Sequence, residues 1–396
     1  MARLYPFRAL RPKPEVAAQV AAVPYDVVSV DEAKAMADGN PLSFLRVSRP
    51  ELELPAGTDP YSDAVYERAE KNFTALTGSS FVVEDEPSVY FYRLRMGSHT
   101  QTGLAACFSI DEYDRDVVKK HEKTRPDKED DRTRHMKTLG AQTGPVFLTY
   151  RESREIDEIG RRVTSGTPLF DFEAVDGVRH TIWRVTGADR DALVAAFARV
   201  PALYIADGHH RAASAARARV AGQDSGFLAV AFPRDQVQIL PYNRTVKDLG
   251  GLTNDAFLQA VGAAFSIEPG PATPARRGEI AMYFKGAWYT LRPRVAPDSA
   301  DAIGSLDVSV LQDRLLAPIL KIADVRTDKR IDFVGGARGT DALQQAVDSG
   351  KAAVAFSMYP VTVDDLIGIA DSGGIMPPKS TWFEPKLRDG LLVHEI

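Results

Sequence analysis

The sequence predicts a mixed α/β (α+β) protein. Strand-like and helix-like segments alternate along its 396 residues, with no internal repeat and no low-complexity tract. The clearest hairpin runs from Phe170 to Val175, through Asp176-Gly177, and back over Val178 to Val185. Asp-Gly supplies the positive φ angles that a tight type I′ turn needs. Ala202 to Ala206, the Asp207-Gly208 turn, a helix over His209 to Ala221 and the run Phe227 to Phe232 read as strand, turn, helix and strand. That is a compact α/β unit.

The other elements follow in order. Ser29-Val30-Asp31-Glu32 reads as a capping box before a short helix that Gly39 stops and Pro41 follows. Asp59-Pro60 opens a second helix with proline at its first position. Val65, Ala69, Phe73 and Leu76 fall at helical spacing there, and Gly78 ends it. Val89 to Met96 alternates apolar and basic residues as an amphipathic strand does, with Gly97-Ser98 as turn and Gly103 to Ile110 as return strand. Asp111 to His135 is rich in both charge signs and poor in apolar residues. It reads as a solvated helix or loop covering something, not as core. Pro269 to Gly278 is the most linker-like stretch, a surface loop before a hairpin over Ile280 to Leu291. Asp307 to Leu320, Thr340 to Val347 and Thr362 to Ala370 look helical. The Gly/Pro-rich tail from Gly373 carries Trp382, Phe383 and Leu387, which need somewhere to pack. These segments suggest an N-terminal α/β part (1–110), a core around the Asp207-Gly208 turn (111–250) and a C-terminal α/β part with a binding tail (251–396). One integrated unit fits them as well.

Composition bounds the function. Hydrophobic residues at 44% and charged residues at 26% are the fractions of an ordinary soluble globular protein, so the chain can bury a real core. The balance of 49 Lys+Arg against 54 Asp+Glu argues against a dedicated nucleic-acid binder but leaves room for a local basic pocket. No stretch approaches the ~18 consecutive apolar residues of a membrane helix. The first residues lack the apolar core of a secretory signal. Cys107 is the single cysteine, which excludes an intrachain disulfide and a cysteine-rich zinc module. It sits in the apolar run Leu104 to Ile110, so a buried inert thiol is expected, in a reducing cytoplasm.

The sharpest local feature is Ala206-Asp207-Gly208-His209-His210-Arg211. A polar cluster that ends a buried strand and opens a helix favours an anion such as phosphate at the helix start. Gly208 lets the backbone approach a ligand. His209, His210 and Arg211 add donors and charge, and arginine can grip a phosphate with two hydrogen bonds. The bland alternative has Asp207 cap the helix while the histidines bond nearby carbonyls, but the combination favours a ligand site. Lys119-Lys120-His121-Glu122-Lys123-Thr124 sets a glutamate among cations that would hold it ionised, a candidate general base. Taken alone, that segment reads more simply as a solvated charge run. Met376-Pro377-Pro378-Lys379-Ser380-Thr381-Trp382-Phe383-Glu384-Pro385-Lys386 reads either as a rigid binding loop or as a tail strapped down by Trp382 and Phe383. Pro24-Tyr25-Asp26 and Tyr242-Asn243-Arg244 are polar groups beside turn residues. Gly335-Gly336-Ala337-Arg338-Gly339 reads more simply as a plain turn than as an anion cradle. There is no Walker-type loop, no His-Glu-x-x-His and no Gly-x-Ser-x-Gly.

Taken in order, Tyr5 to Pro12, Val23 to Asp26, His121 to Thr124, Ala206 to Arg211 and Met376 to Leu387 resemble the bacterial and archaeal family catalogued as domain of unknown function 1015. The resemblance covers nearly the whole chain. The Asp207 to Arg211 turn is further similar to the phosphate motif of the ParB/sulfiredoxin-like superfamily, in which a Gly-x-x-Arg opens a helix and binds nucleotide phosphates. That resemblance implies a ParB/sulfiredoxin-like nucleotide-binding core with a mixed sheet, elaborated by hairpins and helices. Free-serine kinases of the superfamily carry an Asp-Gly-His-x-Arg turn and a separate His-Glu whose glutamate acts as base. This chain has both, Asp207 to Arg211 and His121-Glu122. It has no cysteine beside the turn, which departs from sulfiredoxins, and no helix-turn-helix module, which departs from partition proteins. Members of the family are often encoded beside serine-biosynthesis enzymes, which implies serine or O-phosphoserine as substrate.

Three readings follow. In the first, the chain is a kinase-like phosphotransferase or a phosphatase. Gly208, His209, His210, Arg211, Lys379 and Lys386 would hold the phosphates of ATP or ADP, and Glu122 with His121 and Asp207 would be catalytic. Asp207 would hold Mg²⁺, while Tyr25, Asp26 and Arg244 would bind the small-molecule substrate. In the second, His209, His210, Asp207 and His121 make a hydrolytic metal site, although side chains at i and i+1 of a helix diverge. In the third, the chain is a nucleotide-responsive binding module. None of the three needs a nucleic acid or a membrane.

Overall fold

Gly226–Pro233 is buried at every position, as a strand covered on both faces must be. Its neighbours build the main sheet of the computed structural model, which describes residues 1–219 and 226–396. Among the described residues, nine strands form this sheet. Along it lie Val118–Lys119, Leu203–Asp207, Val146–Tyr150, Gly226–Pro233, His99–Ser109, Val89–Met96, Arg179–Val185 and Phe170–Glu173, with Leu4–Tyr5 pairing beside His99–Ser109. The sheet is mixed. Val146–Tyr150 runs parallel to Gly226–Pro233, and Leu203–Asp207 runs antiparallel to Val146–Tyr150. The mixed α/β class read from the sequence is therefore the observed one.

Contacts divide the described chain into two units. The first comprises Met1–Lys120, Thr124–Val237 and Pro385–Ile396; the second comprises His121–Lys123 and Gln238–Glu384. This grouping cuts across the partition at 110/111 and 250/251. The C-terminal residues return to the first unit through backbone bonds: Leu10 pairs with Val393, Ala22 with Asp389, and His394–Glu395 with Ala141–Gln142. The second unit carries a six-stranded antiparallel sheet. In it, Tyr242–Val246 lies between Val354–Met358 and Ile331–Gly335.

Several elements differ from the sequence reading in instructive ways. The helix after Asp59-Pro60 spans Asp63–Ser80 with Ser62 as N-cap, so Pro60 sits in the preceding turn and Gly78 lies inside the helix. Val65, Ala69, Phe73 and Leu76 are its buried face, as the spacing predicts. The Asp176-Gly177 hairpin is not type I′, because only Gly177 takes a positive φ (75°). Gly177 N–H donates to the Ala174 carbonyl at 2.9 Å, which makes a type I turn with a glycine bulge. Asp111 to His135 is less solvated than its charge suggests. Pro126–Leu139 is a helix that buries Asp131, Thr133, His135, Met136 and Leu139. The helix expected over Asp307 to Leu320 is regular only to Leu311 and continues as a π-turn over Gln312–Leu316. The helix expected over His209 to Ala221 is described as His209–Ala218; Val220 and Ala221 lie outside the described residues.

Alanines position that last helix. Ala212, Ala215 and Ala218 face the core of the main sheet. Small side chains also bring it close to Pro126–Leu139, where Ser214 Oγ donates to the Glu129 carbonyl at 3.1 Å. Cys107 is buried, and burial pushes its thiol up, which leaves it an inert core residue. Among the described residues no helix is long and apolar enough to cross a membrane.

The sheet centre gives a direct test of packing. A Cβ at Gly103 would lie 2.7 Å from the Phe232 ring and 2.8 Å from the Ala231 carbonyl oxygen. Gly103→Ala is expected to destabilise the first unit by about 1–3 kcal/mol. The readout is the urea unfolding midpoint, and an unchanged midpoint would contradict this placement.

Candidate functional site

The strand Leu203–Asp207 ends where glycine is required. Gly208 has φ 94° and ψ 31°, a left-handed conformation that L side chains rarely adopt. A Cβ there would also stand 2.9 Å from Arg211 Nε. The turn lets the helix His209–Ala218 begin at once. Its first-turn N–H groups lack intrahelical acceptors, and its positive dipole end lies at the strand terminus.

Asp207 is the centre of charge. Its Oδ2 accepts from Arg211 Nη2 at 3.0 Å, and Lys386 Nζ lies 3.7 Å from the same oxygen. Arg211 is only 5% exposed. Its Nη1 donates to the Pro145 carbonyl, while its buried Nε meets no acceptor. Burial disfavours the guanidinium charge, but Asp207, Asp26 and Asp389 outweigh that and raise its pKa. Arg211 is therefore a fixed, buried cation that positions Asp207.

Two sequence-distant segments join this turn. Tyr25 is partly buried and its phenol is pushed up, by burial first and then by Asp26. The Arg132 guanidinium lies 4.3 Å from the Tyr25 ring centroid. Arg132 in turn pairs with Asp131 at 2.9 Å, and Asp131 accepts from Tyr66 Oη at 2.9 Å. From the C-terminal end comes Asp389, whose backbone N–H donates to the Ala22 carbonyl at 2.8 Å. Its carboxyl is pushed up to about 7 by burial, with Asp26 adding to the rise and Arg211, Arg132 and Arg388 opposing it. Its Oδ1 meets no hydrogen-bond partner. Arg388 is itself tied to Asp176.

The histidines have local roles. His209 is the first helical residue and is 6% exposed. His210 Nε2 accepts the backbone N–H of Arg125 at 3.0 Å. Arg125 is the N-cap residue of the helix Pro126–Leu139. An accepting Nε2 puts the proton on Nδ1 and leaves the ring neutral, so in this state His210 adds no positive charge at the helix start.

The second unit gathers the other candidates. The His121 carbonyl accepts the Met376 N–H at 2.8 Å, and Thr381 Oγ1 lies 3.4 Å from His121 Nε2. Glu122 belongs to the same short segment. Arg244 Nη2 donates to the Lys379 carbonyl at 3.0 Å. Trp382 packs edge-on against Tyr242, with ring centroids 5.0 Å apart. A Cβ at Gly335 would lie 2.4 Å from the Trp382 ring. Gly335 thus makes room for Trp382, while Gly336 makes room for Leu240 and Pro241. Tyr25, Asp26, Asp207 to Arg211 and Lys386 are brought together in the first unit, and Arg244 with Lys379 in the second.

The sequence reading missed Arg132, Asp389 and Arg388. Arg132 was hidden inside a charge run. The other two had one signal: charged residues followed by Gly390 and the apolar Leu391-Leu392-Val393 belong to a segment that packs inward.

A family model described as "Protein of unknown function (DUF1015)" matches residues 4–309. The chain belongs to the DUF1015 family. No curated protein matches this DUF1015 member. Solved structures similar to it include free serine kinase in complex with AMP, at 13% identity and a TM-score of 0.37, covering 71% of this chain and 90% of that one. A conserved hypothetical protein from Pyrococcus furiosus matches at 15% identity and a TM-score of 0.38, covering 72% and 93%. SbnI with C-terminal truncation from Staphylococcus aureus matches at 11% and 0.39, covering 73% and 87%. The bound nucleotide and the kinase activity are those of the named protein.

Asp389 makes the cluster pH-sensitive. The folded chain holds a proton there that the unfolded chain, with a carboxyl near 3.8, releases. Stability from this group is present below about pH 4 and is lost as pH rises through about 7. Asp389→Asn keeps the shape and removes the titration. Calorimetry is expected to show the unfolding temperature of the variant gaining on wild type between about pH 4 and about pH 7. Parallel pH profiles would contradict the assignment.

Proposed function

We propose that this DUF1015 member transfers a phosphoryl group to or from a small hydroxylated metabolite, with serine and O-phosphoserine as the substrate pair. The observation that carries the reading is the glycine-capped helix start at Asp207-Gly208, with Arg211 and Lys386 converging on Asp207. A helix N-terminus beside fixed cations stabilises an anion, and phosphoryl transfer depends chiefly on positioning and on neutralising charge.

The roles are as follows. The backbone at Gly208, His209 and His210 holds nucleotide phosphates, ATP or ADP, with Lys386 beside them. Arg211 positions Asp207. Tyr25 and Asp26 border the same cluster and take the substrate. Mg²⁺ keeps several waters and takes one or two carboxylates plus phosphate oxygens. Asp207, an oxygen donor at the helix start, fits that demand, and the metal would supply neutralisation of charge on the phosphates. Glu122, beside His121, is the base that the resemblance to free-serine kinases implies, an acceptor for a hydroxyl proton.

One observation weighs against a hydrolytic metal site built on both histidines: His210 Nε2 is engaged by Arg125 N–H. Elemental analysis of the purified chain checks this, with no stoichiometric zinc or iron expected. For the phosphoryl-transfer reading, Glu122→Gln is expected to lower turnover at least about 100-fold while nucleotide affinity stays near wild type. Retained turnover would overturn the role of Glu122. Nucleotide binding without phosphate release in the wild-type chain would favour a binding module instead.

A further inference from the structure

The two buried arginines of the expected site are in opposite situations. Arg211 has Asp207 at 3.0 Å. Arg244, 3% exposed on the strand Tyr242–Val246, has no carboxylate partner among the described residues. Burial pulls the Arg244 pKa down to about 10, and among the described residues the Tyr242 phenol opposes that shift. Arg244 is still a cation at neutral pH. A buried charge without a counter-charge is unfavourable, so proteins keep such groups where a charge arrives from outside.

The surroundings point the same way. Of the five guanidinium N–H donors, Nη1 serves the Tyr242 carbonyl and Nη2 the Lys379 carbonyl at 3.0 Å. The guanidinium carbon lies 5.5 Å from the Phe333 ring centroid. Lys379 is held in a left-handed backbone conformation, φ 59°, which a lysine rarely adopts. Ser380 Oγ closes that turn by donating to the Pro377 carbonyl at 2.6 Å. The strained turn brings Lys379 Nζ to 5.5 Å from the Tyr242 ring centroid, two residues along the strand from Arg244. Two cations thus stand over two neighbouring aromatic rings of a single unit, Arg244 over Phe333 and Lys379 over Tyr242, with ring centroids 5.7 Å apart. Backbone strain kept at such a place is a feature of ligand clamps.

We propose that Arg244 and Lys379, beside the Phe333 and Tyr242 rings, form an oxyanion subsite in the second unit. The planar guanidinium fork suits a carboxylate or a phosphate, and the lysine adds a point charge. The subsite stands on the buried Arg244 guanidinium, which no carboxylate balances among the described residues, and does not depend on the phosphoryl-transfer reading.

The test is calorimetric titration of the full chain with inorganic phosphate and, separately, with acetate, at constant ionic strength set by sodium chloride. Lys379→Gln leaves the backbone ties of Arg244 intact and so preserves the fold; Arg244→Lys keeps the charge and loses the fork. Each is expected to abolish one equivalent of anion binding or weaken it at least about tenfold. Loss of a phosphate equivalent identifies a phosphate-bearing ligand, and loss of an acetate equivalent identifies a carboxylate. Any phosphate bound at the helix start of the first unit persists in both variants, so failure of that site and failure of this one are distinguishable. Unchanged stoichiometry and affinity for both anions in both variants would overturn the subsite.

Discussion

The ion pair between partly exposed Asp207 and buried Arg211 is the constraint on which the first unit's polar centre is arranged. Arg211 can be interior only because Asp207 faces it, and the pair can form only because Gly208 leaves room for the guanidinium. Removing Asp207 would leave the buried Arg211 charge without its paired carboxylate, which is destabilising. The same constraint draws in distant chain. Lys386 shares the carboxylate of Asp207, while Asp26 and Asp389 add to the field around Arg211. Residues near positions 25, 207 and 388 therefore meet although they are far apart in sequence. The C-terminal strand pairing of His394–Glu395 with Ala141–Gln142 holds the last of these segments in place.

Much of this was legible from the sequence, for physical reasons. A capping box needs only local chemistry, and the one at Ser29-Glu32 is formed with both its bonds. The Asp207-Gly208 turn announces itself because a polar pair with glycine cannot continue a buried strand. Other features were not local. Whether Asp176-Gly177 makes a type I′ turn or a bulged type I turn depends on how the flanking strands pair. The burial of Asp131 and Arg132 could not be read from a charge run, since their partners Tyr66 and Tyr25 lie on other segments. Gly335 resembled an anion cradle in composition, yet the Trp382 ring it accommodates comes from nearly fifty residues downstream.

The two units handle buried positive charge differently. In the first, every buried cation near the helix start has a carboxylate: Arg211 has Asp207, Arg132 has Asp131 and Arg388 has Asp176. Fixed, neutralised charge of this kind orients groups without needing a ligand, which suits a preorganised anion site. In the second, Arg244 is held by backbone carbonyls alone. It keeps its geometry but not its electrical balance.

The most direct test of the central claim is ³¹P nuclear magnetic resonance of the full chain with Mg²⁺, serine and either ATP or ADP. The account predicts a growing phosphomonoester resonance of O-phosphoserine matched by loss of the terminal nucleotide phosphate, or, with O-phosphoserine supplied instead, its conversion to inorganic phosphate. Unchanged resonances in every combination would contradict it.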